Sequence, residues 1–333
     1  MDNLSLIICT YMRPKSIVRL LDSVVLQNKY PDEILVIDGS LNNETKNVLI
    51  EKNFKNLKYF LVDKDNRGLT KQRNFGISKL SSSIDIVAFL DDDTILREDY
   101  FDVLAKTYQS DINIVGVGAN PFNFYKWEKK QENKKYSKLK YYHFEGYVFK
   151  EGLRNVTRKI LKLQTKQSPA VMPKFSHGRS CGYPKTGKTY EVDLLTGFSF
   201  SFAKKVTDKI KFSTYFEGYG LYEDADYSIR AKEYGKNVVN TNLYIDHLIE
   251  PEGRPNKLKF GKMVVRNGWY VWRIKYPKPN LKNRFKWNAI VLLLLTIRFT
   301  NVFTTKDKKA ALTESLGRLL GLLSLLFKKP RFK

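Results

Sequence analysis

Cysteine is nearly missing from this sequence. Cys9 and Cys181 are far apart and have no metal-ligand spacing, which excludes a disulfide scaffold and fits a reducing, cytosolic setting. The opening Met1-Asp2-Asn3 lacks the basic region and long apolar core of a secretory leader. Long uncharged apolar runs are missing too. The longest is Ala289 to Ile297, whereas a spanning helix needs roughly 20 apolar residues, so this run is expected to be too short to cross a membrane. Acidic residues are scarce: 34 against 59 basic ones give a net charge of +25, which requires an anionic partner. That scarcity is local. Residues 254–333 carry +18 and residues 121–190 carry +13, which leaves the remainder at −6. The basic surface is segregated from an acidic body.

The 333 residues, 42% of them hydrophobic, are enough for one large or two smaller domains with a full core. Leu4 to Cys9 reads as a first strand, and Ile17, Leu20, Leu21, Val24 and Val25 repeat at helical spacing. Strands are expected over Glu33 to Ile37 and Lys58 to Val62, and helices over Glu44 to Lys52 and Leu69 to Leu80. Ile86 to Leu90 is a short β-branched run, as in a strand buried on both faces. This alternation predicts an α/β fold with a mostly parallel, Rossmann-like sheet covered by helices. Residues 121–190 have poor periodicity and many aromatics and lysines, and read as loops with short elements on the ligand side. Val238-Val239 and Leu243 to Ile245 look like edge strands before His247.

The chain is organised around the end of the Ile86 run, where Asp91, Asp92 and Asp93 follow one another. Three adjacent carboxylates repel unless a cation or hydrogen-bond donors hold them. Oxygen ligands at this density suit a hard divalent ion, Mg²⁺ or Mn²⁺; a solvated acidic turn is the competing reading. Thr10 and Asp38 also end strands, and in a parallel sheet such ends share one edge, where ligands sit. Glu223, Asp224 and Asp226 open a later helix, where acids also offset the N-terminal dipole.

Taken in order, these residues resemble family 2 glycosyltransferases of the GT-A fold. The similar parts are Leu4 to Pro14, Asp38-Gly39-Ser40, Asn66-Arg67-Gly68 with Arg73-Asn74, Asp91-Asp92-Asp93, Gly197, and Glu223-Asp224 with Arg230. Met12 stands where the family often has Asn, Gly39 where a second Asp is common, and Leu195 where some relatives carry Trp; nucleotide base and sugar stay open. The resemblance covers residues 4–250 and implies metal-dependent, inverting transfer from a nucleoside diphosphate sugar to a hydroxyl of a glycan or lipid-linked acceptor. It implies Asp224 as base, with Glu223 supporting it or orienting the acceptor. Asp91, Asp93 and His247 become ligands for Mn²⁺ or Mg²⁺, although an exposed loop His would look the same. Thr10, Tyr11, Arg13, Asp38, Asn66, Arg73, Asp91 and Asp92 become nucleotide-binding residues.

Two other classes compete. A sugar-phosphate nucleotidyltransferase would carry a Gly-rich phosphate loop near the N-terminus, but Thr10 to Pro14 contains no Gly. A charge of +25 also suits nucleic acid, yet no recognition motif is present and acids at a sheet edge oppose that use, so no nucleic-acid partner is expected. The expected division is a catalytic domain over 1–253, with 121–190 as its acceptor-side insertion, and a helical tail over 254–333. In the tail, Trp287 to Ile297 and Leu312 to Phe327 are apolar stretches set among lysine and arginine. Gly317 and Gly321 stand four apart, a spacing that lets helices approach. Trp269, Tyr270, Trp272 and Trp287 read as rings at headgroup level. The tail is therefore expected to lie on an anionic membrane surface, placing the enzyme peripherally on the cytoplasmic face of the cell membrane. Core helices on the catalytic domain are the alternative, and a homo-oligomer is left open.

Overall fold

The computed structural model describes residues 3–121, 125–176, 178–179, 181–248 and 256–332. In chain order the strands and helices are β1 Leu4–Thr10, α1 Pro14–Val25, β2 Glu33–Asp38, α2 Glu44–Lys52, β3 Leu57–Leu61 and α3 Leu69–Ser78. Next come β4 Ile86–Asp91, β5 Thr94–Leu96, α4 Tyr100–Ser110, β6 Ile114–Pro121, β7 Trp127–Lys129, β8 Tyr141–Phe144, β9 Tyr147–Lys150 and α5 Leu153–Ile160. The rest are β10 Thr189–Val192, β11 Ser199–Ala203, α6 Lys204–Thr207, α7 Glu223–Ala231, β12 Lys236–His247, α8 Lys257–Lys275, α9 Leu281–Thr304 and α10 Lys308–Phe327. They form two units, Met1–Phe124 with Lys185–Glu252, and Tyr125–Pro184 with Gly253–Lys333.

The first unit holds a nine-stranded sheet in the order β10-β12-β6-β11-β4-β1-β2-β3, with β5 beside β12. Pairing directions make β1, β2, β3, β4, β6 and β12 run one way, and β5, β10 and β11 the other. The sheet is therefore mostly parallel. Both of its faces are covered, which is why its strands read as unbroken apolar runs. Leu4, Leu6 and Ile8 of β1 join Ile17, Leu20, Leu21 and Val24 of α1 in one core layer. On the other face Gly76 of α3 approaches β1 so closely that an added Cβ would lie 2.8 Å from Ile7 Cγ2.

Register turns sequence into a site. Thr10 pairs with Asp38, and Cys9 with Asp91, so the ends of β1, β2 and β4 lie side by side. The two segments read as edge strands are instead one strand, β12, paired with β6, β10 and β5 inside the sheet. A register shift between Val239 and Tyr244 interrupts the alternation there, which made one strand look like two short ones.

The second unit contains a small antiparallel sheet, β7-β9-β8, together with α5 and the three long helices. The tail helices pack on one another through glycine. A Cβ on Gly261 of α8 would lie 2.2 Å from Glu314 O, and one on Gly317 of α10 would lie 2.2 Å from Leu258 O. Gly317→Ala should therefore force these helices apart and cost about 1–3 kcal/mol, lowering the thermal midpoint read by circular dichroism. Gly152→Ala, which adds a methyl to open space, is the control. An unchanged midpoint in Gly317→Ala would show that this seam does not hold the tail.

Two expectations about the tail need correction. Trp269, Tyr270, Trp272 and Trp287 are all buried, and Trp272 stacks on Trp287 at 5.4 Å, so these rings are core rather than headgroup anchors. The apolar run judged too short to cross lies within a longer helix. α9 and α10, of 24 and 20 residues, are each long and apolar enough to span a membrane by length and composition. Helical structure carries on past the charged residues that bound the uncharged run, and composition alone did not show how far.

Candidate active site

Two strand ends and the approach to a third strand build the centre. β4 ends at Asp91, whose backbone N–H donates to Phe198 O just before β11. β12 ends at His247, whose ring stacks on Phe198 with centroids 5.1 Å apart. One ligand atom each from Asp91, Asp93 and His247 falls within 4.8 Å of the other two. His247 Nε2 is 3.1 Å from Asp93 Oδ1. Two carboxylate oxygens and an imidazole nitrogen so placed could hold a divalent ion such as Mn²⁺ or Mg²⁺. The reading of His247 as an exposed loop residue fails, because the ring is largely covered and belongs to a strand.

Burial and nearby cations oppose one another across this group. Burial pushes the Asp91 carboxyl up to about 6, against the pull of the Arg73 guanidinium. Asp92 is raised by burial too, against hydrogen bonds from Thr10 and Arg13. Burial works against charge on His247, but the Asp93 carboxylate outweighs it and holds the imidazolium above its usual range.

Asp92 faces the neighbouring strand end rather than the ligand group. Thr10 Oγ1 donates to Asp92 Oδ2 at 2.6 Å and Arg13 NH1 to Oδ1 at 3.1 Å. Asp38 is fully buried, accepting from Tyr59 OH at 2.8 Å and Ser40 N–H at 2.8 Å. Met12 takes the left-handed conformation, φ +57°, that Asn or Gly adopts most readily, and its N–H donates to Ser40 Oγ at 2.7 Å. Tyr11 is exposed. Asn66 donates to Asp63 within a surface turn and meets none of these groups among its described bonds.

Arg73 stands apart from the other candidates. Only 2% of its side chain is exposed, and it faces protein groups. NH1 donates to Glu223 Oε1 at 2.5 Å, and NH2 donates to Gly197 O at 3.0 Å and to Asp91 Oδ1 at 3.4 Å. The guanidinium also lies 4.8 Å over the Phe200 ring. It ties α3, the β4 end, the Gly197 turn and the start of α7 together.

The acids of α7 divide in the same way. Glu223 is buried, and burial pushes its carboxyl up to about 8 despite Arg73. Asp224 is half-buried and accepts Gly197 N–H on Oδ2 at 2.9 Å and Ala225 N–H on Oδ1 at 2.8 Å. Burial raises it, and those two bonds oppose the rise. Asp226 turns away to Arg230, at 2.6 Å. Gly197 makes this arrangement fit, since a Cβ there would lie 3.0 Å from Glu223 Oε1 and 3.2 Å from Asp224 Cβ.

Sequence reasoning missed Gln72, whose Nε2 donates to both Ile37 O at 2.8 Å and Thr10 O at 3.1 Å and so fixes the β1 and β2 ends. The run Gln72-Arg73-Asn74 in an otherwise mixed helix was the available signal. Tyr59 was missed as well, and nothing in its strand distinguishes it from a packing residue.

Residues 5–162 match the protein-family model described as glycosyl transferase family 2. Over 120 residues the chain is 30% identical to a glucosyl-dolichyl phosphate glucuronosyltransferase of Haloferax volcanii, covering 34% of this chain and 37% of that protein. Over 95 residues it is 32% identical to the O-antigen chain rhamnosyltransferase RfbN of Salmonella typhimurium, covering 28% and 29%. The matched stretches thus span about a third of those relatives. Among solved structures, the mannosyltransferase PcManGT of Pyrobaculum calidifontis, in complex with GDP-Man and Mn²⁺, superposes with a TM-score of 0.55. That likeness covers 98% of this chain and 87% of the other at 14% identity, and it speaks for the fold.

Proposed function

We propose that this chain, whose residues 5–162 match a glycosyl transferase family 2 model and whose fold resembles that of a GT-A enzyme, is a glycosyltransferase that transfers a sugar, with inversion, from a nucleoside diphosphate sugar to a hydroxyl of a glycan or lipid-linked acceptor. One observation carries the reading: the ligand atoms of Asp91, Asp93 and His247 converge on the sheet edge where Asp224 is held at Gly197. Asp91, Asp93 and His247 would hold Mn²⁺ or Mg²⁺, which supplies, when bound, positive charge opposite a departing diphosphate. Thr10, Tyr11, Arg13 and Asp38 line the nucleotide end, with Asp92 keeping Thr10 and Arg13 in place. Asp224 takes the proton from the acceptor hydroxyl as its oxygen bonds the anomeric carbon and the bond to the diphosphate breaks. Arg73 positions Glu223 and Asp91 rather than binding nucleotide.

A panel of nucleotide sugars assayed for transfer and hydrolysis, with Mn²⁺ and with excess EDTA, tests the proposal. Activity should need the metal, and Asp93→Ala should lower turnover by about 10²-fold or more, since a stabiliser of the leaving charge is lost. Full turnover in excess chelator would remove the metal assignment.

We further place the enzyme on an anionic membrane surface in surface polysaccharide synthesis. Phe285, Phe303 and Phe327 are 73%, 76% and 89% exposed on apolar helices with lysine in their first turn, an arrangement that suits an interfacial position. The full chain should float with anionic vesicles and release at high salt. Replacing these three rings with serine should weaken binding by about tenfold or more. Flotation equal to that of the native chain would rule these faces out as the anchor.

A further inference from the structure

The second unit contains a buried guanidinium that makes no ion pair among the described residues, in a cluster where one acid, Glu151, faces several cations. Arg158 of α5 is 5% exposed, yet among the described residues no carboxylate comes within ion-pair distance of it. Its hydrogen bonds are two long ones to neutral oxygens, NH1 to Gly178 O at 3.5 Å and NH2 to Ser176 Oγ at 3.3 Å. Its buried Nε has no hydrogen-bond partner. Glu151, a buried acid of the same cluster, is engaged elsewhere, with Arg179 NH1 at 2.6 Å and Lys159 Nζ at 3.2 Å both on Oε1. Arg179 also donates to Thr165 O and lies 3.6 Å over the Tyr142 ring. Arg154, one turn earlier on α5, adds charge of the same sign. Burial, with the fields of Arg154 and Arg179, outweighs the attraction of Glu151 and pulls the Arg158 guanidinium down to about 10.

A folded chain seldom buries a cation without an anion, because desolvation of the charge is then left uncompensated. Arginine forks match tetrahedral oxyanions, and a doubly charged group answers a local positive excess better than a single carboxylate does. We propose that Arg158, with Arg154 and Arg179 beside it, forms an anion site for the phosphate group of a phosphomonoester or diphosphate. The site rests on this cluster alone and does not depend on the transfer reaction proposed above.

Calorimetric titration of the full chain with inorganic pyrophosphate in excess EDTA should show a saturable site that survives in Asp93→Ala. Arg158→Gln should weaken it about tenfold or more, the usual effect of removing a charged hydrogen-bonding partner. Arg154→Ala, at an exposed position, should weaken it several-fold and decides the matter if Arg158→Gln fails to fold. No saturable binding, equal affinity in the native chain and the arginine variants, or binding lost in Asp93→Ala would each overturn the site. Phosphatidylcholine vesicles with and without a polyprenyl diphosphate then separate the sources. Extra flotation that Arg154→Ala loses assigns a lipid diphosphate, and pyrophosphate binding without it assigns a soluble one.

Discussion

Asp224→Asn should bind the nucleotide sugar as the native enzyme does and turn it over about 10²–10⁴-fold more slowly, the usual contribution of a positioned base. The geometry sharpens what the substitution changes. Both oxygens of Asp224 accept backbone N–H groups, from Gly197 and Ala225. An amide keeps one acceptor and turns an NH₂ toward the other donor, so it loses the base and also loosens the Gly197 turn. Donor affinity separates the two effects. A fall in kcat with unchanged donor binding is the signature of a lost base, whereas a fall in both means the turn itself has moved. Glu223→Gln is the comparison, since Glu223 is buried and held by Arg73. Substantial turnover in Asp224→Asn would pass the base role to another group.

The second large effect is expected at Arg73. Arg73→Ala removes the positive charge that faces Glu223 at 2.5 Å, Asp91 at 3.4 Å and the Gly197 carbonyl at 3.0 Å. Breaking one half of a buried pair commonly costs about 3–5 kcal/mol, because the remaining charge stays buried without its partner. The variant should therefore melt well below the native chain. The double variant Arg73→Met with Glu223→Gln, which removes both charges, should recover part of that loss. If Arg73→Ala matches the native midpoint while donor binding collapses, the residue contacts nucleotide and the bridging role is wrong.

Much of the scaffold was legible because local chemistry decided it. The first helix lies at Pro14–Val25 because Pro starts it and its apolar residues recur on one face, and β4 was visible as a β-branched run stopped by carboxylates. Strand order in a parallel sheet places such ends on one edge, so the meeting of Thr10, Asp38 and Asp91 followed from alternation alone. The acids themselves were visible as types.

What each acid does was decided only by tertiary structure. Asp91, Asp92 and Asp93 are neighbours of one kind in the sequence. The turn that follows β4 sends Asp92 to Thr10 and Arg13, and joins Asp91 and Asp93 with His247, more than 150 residues away. Arg73 looks like any helix arginine until its burial among Phe89, Phe200 and Phe212 makes it a bridge. The tail tryptophans were the reverse case. Their composition suited a membrane surface, yet the glycine seam between α8 and α10 draws the helices close, and the stacking of Trp272 on Trp287 buries those rings and leaves the phenylalanines outside. Residue type and spacing set which groups can react and where strands end. Burial and long-range pairing, which depend on the whole chain closing, determined which of those groups face one another.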